Sequence, residues 1–163
     1  MKLHIYTLHL RSFLIPVLYA FLGMGFLHGA ILEPGVAFPE LTDMQDQHGV
    51  AYPLPDEVKY IAVAFTMGVG KSANKYFAEK GSDFLPENNS VFIANIYGMP
   101  AIGRFFAMPK MQKYPHRIML ADAKDLLDEF PQRDDCVTVF DIDSAGKIKA
   151  IRYWDPKLGE LPF

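Results

Sequence analysis

Beyond its first thirty residues the chain offers few side chains suited to covalent or metal chemistry: one cysteine, Cys136, and two histidines, His48 and His116. Cys136 has no second thiol, so it cannot close an internal disulfide. A reactive cysteine needs a helix N-terminus and a cation beside it. Cys136 instead follows Asp134 and Asp135 and leads into the apolar run 137–140, so burial as a small hydrophobe is the expected role. His48 falls in the turn-forming Asp46-Gln47-His48-Gly49, and a histidine without a positioned nucleophile is not a catalytic unit. Met108, Met111 and His116, with Met99 nearby, offer soft donors of the kind copper(I) takes. The competing reading is packing, with Met108 against the Phe105-Phe106 helix and Met111 filling a gap.

Two further stretches look like parts of ligand loops and fall short of them. Gly70-Lys71-Ser72 follows an apolar run, as in a phosphate-binding loop, but the glycine required five residues earlier is Phe65. Asp141-Ile142-Asp143-Ser144-Ala145-Gly146 begins like a calcium loop, but Ala145 has no side-chain oxygen and Arg152 stands where the bidentate glutamate belongs. No Gly-x-Gly-x-x-Gly follows a strand, so a flavin or dinucleotide is not indicated, and no cofactor is expected. Residues 110–117 form the one locally basic stretch, which reads as a solvated loop or an anion site.

Charge narrows the partners. Of 16 basic residues, Lys2 and Arg11 fall in the first thirty, which hold no acid; the remainder carries 14 basic against 19 acidic, a formal charge of −5. Nucleic acid is not an expected partner, and the acidic body argues against anionic lipid. Lys2 and Arg11 precede an unbroken apolar run over 13–27, with Gly29-Ala30 after it. That order predicts a secretory signal peptide over 1–30. The alternative is an uncleaved anchor over 12–32, which reaches the roughly 20 apolar residues needed to span a bilayer only by including His28. Either way the body, 31–163, is exported, to the periplasm or outside the cell, or held at the inner membrane by residues 12–32.

Stepping through the body, the turn at Asp46-Gln47-His48-Gly49 predicts a hairpin within 42–52. Residues 58–65 form a continuous apolar strand, buried on both faces. A short amphipathic helix follows over 72–80, ended by Gly81. A second core strand covers 91–97. Pro100 opens a helix whose apolar stripe is Ile102, Phe105 and Phe106, and Pro109 ends or kinks it. A strand over 117–121 and a short helix with Leu126, Leu127 and Phe130 on one face come next. Strands over 137–142 and 148–153 form a closing hairpin with Gly146 in the turn. The tail, with Pro156, Gly159 and Pro162, is too broken for more than about one helical turn.

This order resembles the thioredoxin-like superfamily, in particular its peroxiredoxin-type branch, over about 36–153. The resemblance rests on Phe38-Pro39-Glu40-Leu41 with Asp46-Gln47-His48-Gly49, on Phe65 to Lys71 at a strand-to-helix junction, and on residues 137–143 with Gly146. It is similar to small exported proteobacterial members. It implies an α/β fold: a thioredoxin-like three-layer sandwich with a mixed central sheet and an N-terminal hairpin. In redox relatives the junction carries Cys-x-x-Cys at a helix N-terminus. Here the two cysteine positions hold Met67 and Gly70, although Gly68 and Lys71 match. The proline that relatives place before the penultimate strand is replaced by Asp134-Asp135-Cys136, and the closing helix is missing, leaving one sheet face open to a partner.

The expected function is a redox-inactive binding or assembly module of the bacterial envelope rather than an enzyme. It would hold a protein or peptide at Met67, Gly68, Val69, Gly70 and Lys71, with no metal. Two alternatives stand beside it: a single-cysteine redox enzyme or carrier using Cys136, and copper handling through Met108, Met111 and His116. Membrane contact is expected only through residues 12–32, if these are retained.

Overall fold

The computed structural model describes residues 31–42 and 44–162. In chain order it contains β1 (Gln45–Asp46), β2 (Tyr60–Ala64), α1 (Met67–Lys80), α2 (Phe84–Glu87), β3 (Ser90–Asn95), α3 (Ala101–Met111), β4 (Met119–Ala121), β5 (Val137–Ile142) and β6 (Ile148–Trp154). The expected signal peptide, and all of the alternative anchor except Ile31 and Leu32, lie outside the described residues. Leu32 is part of the domain's core: it is buried, and its N–H donates to the Glu129 carbonyl at 2.7 Å. Among the described residues no helix is long and apolar enough to cross a membrane.

The strands form one six-stranded mixed sheet in the order β1-β4-β3-β2-β5-β6. β2 pairs parallel with β3 and β3 with β4, while the other neighbours are antiparallel. The parallel pairs are joined by crossovers carrying α1, α2 and α3, as parallel pairing requires. Successive side chains alternate faces, so each apolar strand feeds two cores. Ala62, Ala64, Phe92, Ala94, Leu120, Val137 and Val139 pack toward the helices. Ile61, Val63, Val91, Ile93, Met119 and Phe140 pack against the opposite layer.

That opposite layer is built from the N-terminal segment and the 126–130 turns. Phe38, Phe130 and Phe140 meet there edge to face, with ring centroids 5.4–5.6 Å apart. The helix expected around Leu126, Leu127 and Phe130 does not form. Turns carry the chain instead, with Asp125 in the left-handed region at φ 64°, and they still bury Leu127 and Phe130.

The expected hairpin forms. The Asp46 N–H donates to the Val50 carbonyl at 2.8 Å, and the Asp46 carboxylate accepts from the N–H groups of His48 and Val50. Gly146 sits at φ 74° in the β5–β6 turn, a conformation that favours glycine. Asp143 there accepts from the N–H groups of Ala145 and Lys147, and Asp141 pairs with Arg152 at 2.7 Å. The carboxylates of the calcium-like stretch therefore serve the turn and the sheet.

Three local expectations need correction. The first helix begins at Met67 rather than at residue 72, because Thr66 caps it: its Oγ1 accepts from the Val69 N–H at 3.4 Å. Pro100 is the N-cap of α3 rather than its first helical residue, and the helix continues past Pro109 to Met111. No helix follows β6 among the described residues, yet the helix-side face is not left bare. The tail folds back over it: Leu161 is buried beside Trp154, the Trp154 indole donates to the Gly159 carbonyl at 2.9 Å, and the Tyr76 hydroxyl donates to Glu160 at 2.5 Å.

Candidate functional site

At the C-terminal end of β2 the chain passes through Phe65 and Thr66 and turns directly into α1. Val69, Ala73 and Phe77 form the inward stripe of that helix, at a spacing of four. Gly70 and Asn74 lie one residue along, also buried. Gly68 and Gly70 sit in the first turn. A Cβ at Gly68 would meet nothing within 4 Å, and one at Gly70 would make ordinary contact, 3.9 Å from the Ala64 Cβ. The chain's own packing thus requires neither glycine.

A crevice runs between α1 and α3. Met67, Gly70, Lys71 and Asn74 line one wall, Ala107, Lys110 and Met111 the other, and the end of β3 with Met99 forms the floor. It holds about 80 Å³ of accessible space and is largely apolar. Lys71 and Lys110 are exposed, no acidic residue lines the crevice, and neither lysine has an ion-pair partner among the described residues. Met67 is 47% exposed and available for contact. A separate and larger depression, about 500 Å³, lies at the other end of β2 and β5 beside Asp56, Glu57 and Asp143. Two of its carboxylates are already engaged, Asp143 by the N–H groups of Ala145 and Lys147 and Asp141 by Arg152.

The five residues singled out in the sequence do not share one place. Met67, Gly70 and Lys71 share the crevice, Gly68 faces solvent, and Val69 is buried. Val69 also borders a shallow depression on the other side of the helix start, with Phe65, Thr66, Arg133 and Cys136. Cys136 is half-buried rather than fully buried. It sits just before β5, in a loop that turns through Asp135 at φ 57°. The structure thus places Cys136 on one depression with Val69 of the first turn of α1, where sequence alone placed it only after two aspartates.

Beneath the crevice lies a polar network that sequence reading missed. His116 is 1% exposed, and its Nε2 lies 2.9 Å from Asn74 Oδ1. Its ring stacks on Tyr114 with centroids 5.5 Å apart, and Nδ1 has no partner. Burial lowers the His116 pKa to about 4, so the imidazole is neutral at physiological pH. Gln47, also buried, donates to the His116 carbonyl and accepts from the Ile118 N–H, each at 2.9 Å. The available signal was Asn74, a polar residue one helical repeat from Gly70 on a buried stripe.

The network bears on the copper reading. Met111 is buried in the helix-side core, Met99 and Met108 pack against it, and His116 is sealed with Nε2 engaged. Among the described residues no group of three or more His, Cys, Asp or Glu is placed to hold a metal.

No family model and no curated protein sequence matches the chain. Solved structures do. The thioredoxin domain of a thiol-disulfide oxidoreductase from Bacteroides vulgatus superposes with a TM-score of 0.50 at 19% identity, over 77% of this chain and 92% of that one. A peroxiredoxin-like protein from Aquifex aeolicus gives 0.50 at 14% identity, over 77% and 78%. At such identities the match establishes the fold, which is thioredoxin-like.

Proposed function

We propose that the chain is an exported thioredoxin-like binding module, without dithiol chemistry, that holds a protein or peptide segment in the bacterial envelope. One observation carries this reading. Met67 and Gly70, at the helix start where redox relatives keep their thiols, line an apolar crevice rimmed by Lys71 and Lys110. Dithiol exchange needs a thiolate to attack and a second thiol to resolve the mixed disulfide, and the chain has one cysteine. Met67 is an adaptable apolar contact, and the glycines leave room for another backbone at the helix start. The basic start and apolar run of residues 1–30 support export; mass spectrometry of envelope protein should find a chain starting near Ile31.

The binding role is tested by placing photoreactive benzoylphenylalanine at position 67 of the full chain and irradiating intact cells. A discrete cross-linked product is expected at 67. None is expected from the same group at Lys75, an exposed position of α1 outside the crevice. No product at 67, or equal yield at both positions, would reject the crevice as the binding surface.

Cys136 lines one depression with Thr66 and Val69, which favours a second reading, a single-cysteine carrier whose thiolate attacks a partner's disulfide, forming a mixed disulfide and releasing the partner's other sulfur as a thiol. Thiol-dependent turnover in insulin-reduction or peroxide-consumption assays, lost in Cys136→Ser, would establish that reading over the first.

A further inference from the structure

The apolar stripe of α3 faces away from the core. Ile102, Phe105 and Phe106 are 66%, 71% and 60% exposed. The Phe105 and Phe106 rings contact each other edge to face at 5.2 Å. The rotation of the helix is fixed by its other side. Arg104 pairs with Asp122 and donates to the carbonyls of Ile96, at 3.0 Å, and Met99, at 3.3 Å. Gly103 lies so close to Met99 that a Cβ would come within 3.2 Å of its side chain. The outward stripe is therefore a built feature of the domain. Contiguous exposed aromatics of this kind mark an interaction surface.

Charge indicates what covers it. The overall acidic balance argues against an anionic surface, but the acids are unevenly spread: none occurs between Glu87 and Asp122. Lys110, one helical repeat beyond Phe106, and Lys113 are both exposed, with no ion-pair partner among the described residues. The face is thus apolar with a cationic edge, and its complement is apolar and anionic. Two copies meeting through it would bring like charges together. A peptide strand would seat in the concave crevice rather than on the convex side of one helix. An apolar helix face flanked by lysines fits the boundary between lipid headgroups and acyl chains.

We propose that the outward face of α3 is a membrane-interfacial surface. Ile102, Phe105 and Phe106 enter the boundary of an anionic bilayer, and Lys110 and Lys113 meet its phosphates. The exposed Tyr97, just before the helix, suits the same depth.

The test uses the full chain bound to phosphatidylcholine vesicles with or without phosphatidylglycerol. Trp154, the one native tryptophan, is buried, so Phe106→Trp adds a reporter whose emission is read as the increment over the parent protein. Subtracting the parent removes the emission of Trp154, and mature protein starting at Ile31, run in parallel, separates the face's own affinity from that of residues 1–30. On anionic vesicles the increment should shift to the blue and be quenched by brominated lipid. In a Lys110→Glu, Lys113→Glu background the lipid needed for half-maximal quenching should rise about tenfold. Ile102→Trp, at another exposed position, should report the same contact if Phe106→Trp disturbs the native circular dichroism. An unquenched, solvent-like increment in a natively folded variant overturns the proposal. So does equal quenching on neutral and anionic vesicles, or a blue shift that depends on protein concentration without lipid, which would assign the face to a second copy of the chain.

Discussion

His116 and Asn74 meet across 2.9 Å between Nε2 and Oδ1, and this contact fixes the imidazole tautomer. An amide oxygen can only accept, so Nε2 carries the proton and Nδ1 remains a bare acceptor with no partner. The pair ties α1 to the segment before β4. Gln47 extends the tie to the N-terminal hairpin through the His116 carbonyl and the Ile118 N–H. Three segments far apart in sequence are thereby joined directly under the crevice.

Protonation of His116 should destabilise the fold. Its pKa is lowered by burial from 6.5 to about 4, so between those values the unfolded chain binds a proton that the folded chain does not. Stability from this group is full above about pH 6.5, falls as pH drops through that window, and levels off below about 4. At 1.36 kcal/mol per unit of pKa shift, the loss is about 3 kcal/mol. Urea unfolding of the wild type and His116→Gln across this range measures it: the wild-type curve should fall more steeply. Parallel curves would show that His116 does not titrate differently on folding.

The tail should act as part of the core. Leu161 is buried against the helix-side core beside Trp154, and Glu160 is held by the Tyr76 hydroxyl and by Lys80 at 3.1 Å. Leu161→Ala should cost about 2 kcal/mol, the low end for truncating a buried leucine. The ion pair at Glu160 is exposed, so Glu160→Gln should cost much less. Chemical denaturation reads both. A Leu161→Ala cost below about 0.5 kcal/mol would mean that the tail covers the face without stabilising it.

The glycines at the start of α1 should be replaceable without loss of fold. A Cβ at Gly68 meets nothing, and one at Gly70 makes ordinary contact with Ala64. Gly68→Ala should raise stability by about 0.5–1 kcal/mol, the helical advantage of alanine. Gly81→Ala should instead lower it, because φ there is 100°. Melting temperatures of the two variants should move in opposite directions. If Gly68→Ala is stabilising yet weakens cross-linking at position 67, the glycine serves the approach of a partner.

Much of the architecture was written in local pattern. Residues 60–64 and 91–94 are apolar at consecutive positions, and 137–140 nearly so, a pattern that a sheet buried on both faces accommodates, and each lies in a central strand. The Asp46 and Asp143 turns were legible because a short carboxylate bonds its own downstream N–H groups, an interaction contained within five residues. That Met67 and Gly70, rather than cysteines, stand at the start of α1 is likewise a matter of residue identity.

Tertiary structure decided which way these elements face. Spacing alone groups Ile102, Phe105 and Phe106 on one side of α3, but it does not say whether that side meets the core. Arg104 on Asp122 and the tight contact at Gly103 settle the rotation, and both depend on residues outside the helix. The same holds for Asn74, His116 and Gln47, whose partners are 42 and 69 residues away, and for Cys136, brought beside α1 by the pairing of β5 with β2. A residue's type and its near neighbours set local conformation through short-range sterics and hydrogen bonding. The partner of a buried polar group, the exposure of a helix face and the cover supplied by the tail depend on contacts between distant segments, and these exist only once the chain is folded.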